Sequence, residues 1–200
     1  MDFVAIDFET ANGARNSACA IGLTVVAGGK AVESCSWLIR PPVLYFPFTY
    51  IHGITAEQVK DEPTFDMLWP TLLPYLQGQL LVAHNVSFDK GVLESTLKHY
   101  GLSLPESCYI CSVETARKTW PSLRNHKLNT VAEFLGVQLN HHDARDDAYA
   151  AAQIILHALK SHQVTSVKNL VQKLPLKLYV TKQEGTGMHS IPSHGTNITG

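Results

Sequence analysis

Apolar and polar positions alternate between two periods along this chain. Phe3-Val4-Ala5-Ile6 is an apolar run with β-branched members, and it predicts a strand that ends in the acids Asp7 and Glu9. Cys19 to Ala27 and Ala31 to Ile39 predict two more strands, with Gly28-Gly29 as a hairpin turn between them. The chain therefore opens with three antiparallel strands. Pro41-Pro42 ends the third, and a loop rich in aromatics and proline runs to Tyr50. Thr55 is placed to cap a short helix containing Ala56, Glu57 and Val59. From Pro63 on, Phe65, Leu68, Leu72, Leu73 and Leu76 recur at helical spacing, but Pro70 and Pro74 fall inside the pattern and predict a broken or irregular helix.

Gln79 to Ala83 is continuously apolar, as in a central strand buried on both faces. Ser87 is the expected cap of a helix carrying Val92, Leu93, Leu97 and Tyr100, stopped by Gly101. Leu104 to Cys111 holds a fifth short strand, Val113 to Trp120 a helix, and Leu128 to Leu135 another that ends at Gly136. After the polar turn Asn140 to Arg145, Asp146 to Leu159 is an alanine-rich helix. Its stripe Ala148, Ala151, Ala152, Ile155 and Leu159 permits close approach to a sheet. Val164 to Val180 reads as one more amphipathic segment, broken at Pro175. Gln183 to Gly200 has hardly any large apolar residue and is expected to be a flexible tail. Strands followed by strand–helix alternation predict an α/β fold with a mixed five-stranded sheet, three antiparallel strands and then two crossover strands, flanked by helices. No internal repeat is present.

Composition narrows the picture. The 200 residues are 45% apolar and 16% charged, with a formal net charge of -1, so no global basic field marks a nucleic-acid binder. An anionic substrate must be held locally. No apolar run approaches the roughly 20 residues of a membrane span, and no basic segment precedes an apolar one as in a secretion signal. Cys108 and Cys111 form a C-x-x-C pair without a second pair, so a zinc ribbon is not expected. With Cys19 and Cys35 they read as free thiols of a reducing, cytoplasmic protein.

The chemistry lies in the acids. Asp7 and Glu9 are two apart on a strand and share a face, where they repel unless a cation lies between them. Solvated acids at a strand–loop junction are the alternative. Asp89 stands in the first turn of the helix after the buried strand, where a helix dipole alone would also favour it. Asp147 stands near the start of the alanine-rich helix, and His142 five residues before it. Four carboxylates on three elements could meet at one sheet end and hold two divalent ions roughly 3.5–4 Å apart, as in phosphoryl displacement. A histidine on the neighbouring turn suits the proton acceptor.

These residues resemble a known family. Asp7-Phe8-Glu9-Thr10, His84-Asn85-x-x-Phe88-Asp89 and His142-x-Ala144-x-x-Asp147-Ala148 are similar, in order and spacing, to the three exonuclease motifs of the DEDD superfamily. Ile51-His52-Gly53-Ile54-Thr55 is similar to a further segment between the first two. The resemblance covers about Met1 to Lys160, and it points to the histidine-type branch that includes the proofreading epsilon subunit of bacterial replicative polymerase and ribonuclease T. His141/Asp146 and His142/Asp147 have equal separation; the second pair places Ala144 and Ala148 where the family has alanines. Asp143 occupies the position where the tyrosine-type branch would need its tyrosine.

The resemblance implies a ribonuclease H-like domain over residues 1–162; beyond it the sequence reads as a C-terminal extension over 163–182 and a tail over 183–200. It implies two Mg2+ or Mn2+ ions on Asp7, Glu9, Asp89 and Asp147, His142 as base, and 3′-to-5′ release of nucleoside 5′-monophosphates from single-stranded ends of DNA or RNA. Thr10 and the backbone of Phe8 and Ala11 would meet the terminal nucleotide, with His52 and Thr55 lining the same pocket. Asn85 would bond either the metal-site loop or the substrate, and Phe88 would stack on a base or fill the core. Arg15, Arg124, His126 and Lys127 are candidates for phosphate contacts or solvated charges. A polymerase or other replication or repair protein is the expected protein partner, and oligomeric state is left open. The alternatives are a catalytically vestigial binding or polymerase-docking module of the same fold, and a nuclease acting on RNA or a small phosphodiester.

Overall fold

In the computed structural model, which describes residues 2–181, the first strand sets the plan. β1 (Phe3–Thr10) is followed by β2 (Ala18–Ala27) and β3 (Lys30–Leu38), antiparallel in turn. Gly28 and Gly29 both have positive φ, which the two-residue hairpin turn requires. The aromatic loop folds into two one-turn helices, α1 (Thr49–His52) and α2 (Ala56–Val59). Thr55 caps α2, with Gln58 completing a reciprocal capping box. There follow α3 (Phe65–Leu76), β4 (Leu80–Ala83), α4 (Val86–His99), β5 (Cys108–Cys111), α5 (Ser112–Thr119), α6 (Leu128–Leu135), α7 (Ala144–Ser161), α8 (Val167–Lys173) and β6 (Tyr179–Val180).

The sheet order is β3-β2-β1-β4-β5-β6, with β4 parallel to β1, β5 parallel to β4, and β6 antiparallel to β5. Among the described residues the sheet is thus mixed, as expected, but has six strands rather than five. The sixth is two residues long, too short to show a period in the sequence. Two other expectations change. α3 runs unbroken through Pro70 and Pro74. The prolines are four apart on its exposed face, so the carbonyls they leave unpaired meet water, while Phe65, Leu68, Trp69, Leu72 and Leu76 hold the buried face. The start of α4 is set not by Ser87 but by Asn85, which stands at φ 79 in the left-handed region.

Alternation along β1 assigns the layers. Val4, Ile6 and Phe8 face a core built with α3 and α4, whereas Phe3 and Ala5 face a core built with α7 and α8. Asp7 and Glu9 continue the second series, so they emerge on the α7 side. α7 lies close against the sheet through Ala151, Ala152 and Ile155. The extension packs onto this body, with Leu170, Leu174 and Leu176 buried. The expected tail at 183–200 lies outside the described residues. All four cysteines are free thiols. Among the described residues no helix is long and apolar enough to cross a membrane.

Candidate active site

Three chain segments meet at the carboxyl end of β1. β1 and β4 pair only at Val4 and Ala5, so beyond that point the strands diverge. The Phe8 N–H then donates to Asp89 Oδ1 at 3.0 Å, which seats α4 against β1 and buries Asp89 to 1% exposure. On the other face, the N-cap Asp143 accepts from the backbone N–H groups of Arg145 and Asp146 and starts α7. One turn later Asp147 turns inward while Asp146 stays partly exposed. Asp7, Glu9 and Asp147 each present an oxygen within 4.8 Å of the others. Asp89 is outside that trio, yet of all the acids its charge acts most strongly on Asp7. Asp7 is thus the acid on which both the rest of the trio and Asp89 act.

A close backbone approach makes this possible. Gly22 of β2 pairs with Asp7, and a Cβ on Gly22 would stand 1.9 Å from the Ala144 carbonyl oxygen. Only glycine lets the start of α7 lie beside Asp7. Its place inside a strand was the available signal.

The cost of gathering acids shows in their proton affinity. Burial, then the charges of Asp89, Asp147, Glu9 and Asp143, hold the Asp7 carboxyl well above the usual carboxylate range. Burial and the neighbouring acids push Glu9 up to about 8. Burial raises Asp89 to about 7 against the Phe8 N–H bond, which favours its charged form. Burial raises Asp147 too, opposed by His141. Among the described residues none of Asp7, Glu9 and Asp89 has a Lys or Arg ion pair. An all-oxygen carboxylate set, with no Lys or Arg paired to Asp7, Glu9 or Asp89, fits hard divalent cations.

Two histidines close the site. His141 Nδ1 faces both Asp147 oxygens at 3.0 and 3.1 Å, and the His142 N–H donates to Asp147 Oδ2 at 3.1 Å. Their rings stack at 3.9 Å between centroids. His142 has φ 72, and burial with His141 beside it lowers its pKa, so it is neutral near pH 7 with a ring nitrogen free to accept a proton. The sequence pairs His142 with Asp147; His141 is the second histidine at the same carboxylate.

The site opens into a cleft of about 1140 Å³, above the roughly 300–1,000 Å³ of ordinary ligand pockets. Thr10, His52, Asn85 and Phe88 line it, as do the acids Asp7, Glu9 and Asp147, and His142. His52 Nε2–H donates to the Thr10 carbonyl at 3.1 Å, and its Nδ1 accepts from the Ile54 N–H at 3.0 Å, which fixes the tautomer and props the end of β1. Ala11 and Thr55 do not line the cleft. The Ala11 N–H and carbonyl are spent on Ser17 and Phe48, and the Thr55 hydroxyl on its capping box. Phe88 both lines the cleft and packs on the core. Arg15 stands 5.2 Å over the Phe88 ring and donates to the Ser87 and Phe88 carbonyls, so it braces α4 instead of facing the cleft. Arg124 is also away from the cleft, 3.8 Å from Glu133, whereas His126 and Lys127 line it.

His84 escaped the sequence reading as anything but part of a motif. It is tied to Ser112 Oγ at 2.8 Å, and its Nε2–H donates to the His126 carbonyl at 3.1 Å; burial drives its pKa down to about 4. It is a neutral brace that joins β4, α5 and the loop before α6.

Comparison with known proteins bears on family and fold. The RNase T exonuclease family model matches residues 4–155. A PolC-type DNA polymerase III of Clostridium perfringens is 31% identical over 208 residues, covering 95% of this chain and 14% of that protein. Its counterpart in Caldanaerobacter subterraneus subsp. tengcongensis is 32% identical over 173 residues, covering 84% of this chain and 12% of that protein. The chain thus spans a small fraction of the length of the curated relatives it matches. A solved structure of Exonuclease X with a 5′-overhanging duplex DNA superposes with a TM-score of 0.67 at 27% identity, covering 82% of this chain and 95% of that one. The nuclease domain of 3′hExo, a DEDDh family member, shares the fold at a TM-score of 0.69 and 16% identity, covering 90% and 96%. The family generally uses divalent metals. This chain belongs to the RNase T exonuclease family, of the DEDD 3′-5′ exonuclease type.

Proposed function

We propose that the chain hydrolyses phosphodiester bonds stepwise from single-stranded 3′ ends, of DNA and in principle RNA, and releases nucleoside 5′-monophosphates. The observation that carries this is the gathering of Asp7, Glu9 and Asp147 within 4.8 Å, with Asp89 acting on Asp7 and His142 beside Asp147. Asp7, Glu9 and Asp147 would hold one Mg2+ or Mn2+, and Asp7 with Asp89 a second. Bound there, the ions would supply an activated water and neutralise charge on the leaving oxygen. His142, kept neutral by burial and by His141, accepts the proton of the attacking water. His141 orients Asp147. Thr10, which lines the cleft, would bond the terminal sugar, and the apolar lining from Phe48, Ile51 and Phe88 suits the faces of bases. The names of the relatives make a replicative polymerase the protein partner to test.

The test uses matched DNA and RNA oligonucleotides, single- and double-stranded, labelled at either end, with Mg2+, Mn2+ or chelator. Mononucleotide release from the 3′ end, lost in Asp7→Ala and Asp147→Ala and in chelator, is expected. Undiminished release by those variants overturns the reading. Binding without release in either metal would show a vestigial module.

A further inference from the structure

The cleft has a second half that the acids do not use. β1, β4 and β5 run parallel, so their carboxyl ends lie along one edge of the sheet, the edge at which α/β proteins bind ligands. The acids stand at the β1 end. From there the lining passes His84 and Asn85 after β4, then Cys111 and α5 after β5, and ends at Lys177 and Tyr179. β6 is three strand steps from β1, roughly 14 Å, the reach of about two to four nucleotides of single strand.

This far half is cationic. Arg117 and Lys177 line it, Lys127 lines the same cleft where the His126 carbonyl meets His84, all three are exposed, and none has an ion pair among the described residues. Its one acid, Glu114, is already paired with Lys118 at 3.0 Å. In a chain of net charge -1, three uncompensated cations in one cleft are a local concentration.

The wall that carries Lys177 is a built part of the fold, and it lies beyond the family-matched residues 4–155. Tyr179 and Val180 pair with Tyr109 and Cys108. Thr181 is buried, accepts from the Ser107 N–H at 2.9 Å and donates to the Pro105 carbonyl at 2.8 Å. Lys118 Nζ donates to the Pro175 carbonyl at 2.7 Å. The Lys177 ammonium stands 4.6 Å from the centre of the Tyr179 ring, a cation–π contact that holds it at the cleft.

We propose that Arg117, Lys127 and Lys177 form a phosphate track for the nucleotides 5′ to the scissile bond, and that the C-terminal extension completes the substrate cleft by supplying one wall of it. The inference rests on the hydrolytic reading above and adds the position of the strand behind the reacting end. The ligand chemistry is the phosphodiester backbone of a single strand. DNA and RNA share it and are separate arms of the test.

The experiment measures KM for a dinucleotide and a pentanucleotide, each as DNA and RNA, at several salt concentrations, with the full chain and the double variant Arg117→Gln/Lys177→Gln. For the parent, KM is expected to be roughly tenfold lower for the pentamer than for the dimer. The variant should lose that gain, and its slope of log KM against log salt should fall by about 1.4, near 0.7 per phosphate contact. Lys127→Glu, on a different element, should reduce the gain independently. Equal length dependence and equal salt slope in parent and variants overturn the track. A parent that cleaves both lengths with the same KM overturns it too and leaves the hydrolytic reading standing, whereas a parent that cleaves neither overturns both.

Discussion

At the scale of single residues, the two histidines before α7 divide one task. His141 is committed to Asp147 through Nδ1, and His142 contacts the same carboxylate only through its backbone N–H, leaving its ring for the cleft. His142→Ala is therefore expected to lower kcat by roughly 10²–10⁴-fold, the range for a lost general base. His141→Ala should cost roughly 10–100-fold, as for a group that orients a ligand. Measured kcat for both variants with saturating Mn2+ checks this, and a larger loss in His141→Ala would move the base to that residue. A second expectation concerns Asp7, half-buried among acids that raise its proton affinity. Asp7→Asn should abolish turnover but raise the stability of the metal-free protein by about 1–2 kcal/mol, seen as a higher urea midpoint. A lower midpoint would mean that the Asp7 carboxylate is not under electrostatic strain. The acids could be read from the sequence because period two fixes the face of Asp7 and Glu9 once Phe3 and Ala5 are known to be core. The commitment of Arg15 to the Ser87 and Phe88 carbonyls could not, since it joins positions 72 and 73 residues apart.

At the scale of elements, the site depends on how closely α7 rests on the sheet. Gly22 carries that approach, because any Cβ there would strike the Ala144 backbone. Gly22→Ala should cost about 3 kcal/mol, at the upper end of overpacking, since backbone cannot rotate aside. It should also cut kcat by about 10²-fold, as Asp147 and His142 ride on the displaced helix start. Gly13→Ala, with nothing within 4 Å of the added carbon, is the control expected to change neither. Thermal midpoints and kcat on one oligonucleotide decide it. Most elements were legible because long periodic runs need no distant information. α6, Leu128–Leu135 with Gly136 as its C-cap, appears as its pattern and stop signal foretell. What stayed hidden depends on tertiary context. The solvent-facing placement of Pro70 and Pro74 keeps α3 whole, and β6 exists because β5 offers an edge to Tyr179 and Val180.

At the scale of the whole molecule, the fold stores a repulsion that a cation would relieve, and pH should expose it. Asp7, Glu9, Asp89 and Asp147 bind protons more tightly in the folded chain than the ordinary values near 4 of an unfolded one. The metal-free fold therefore holds more protons than the unfolded chain above pH 4. Its stability from these groups is complete below the unfolded values and is lost as pH rises through the folded ones, about 7 for Asp89 and about 8 for Glu9. Histidines act in the opposite sense, since His52, His84, His142 and His157 have lowered values, but their effect ends near 6.5. The window from pH 6.5 to 8.5 thus isolates the carboxylates. Metal-free protein should lose roughly 2 kcal/mol across it, a fall of about 4–8 °C in melting temperature. Mg2+ or Mn2+ binds the deprotonated acids, so it should raise the melting temperature more at pH 8.5 than at 6.5 and flatten the slope. A metal-free melting temperature that is level or rising over that window would show that these four carboxylates are not held together against their mutual repulsion.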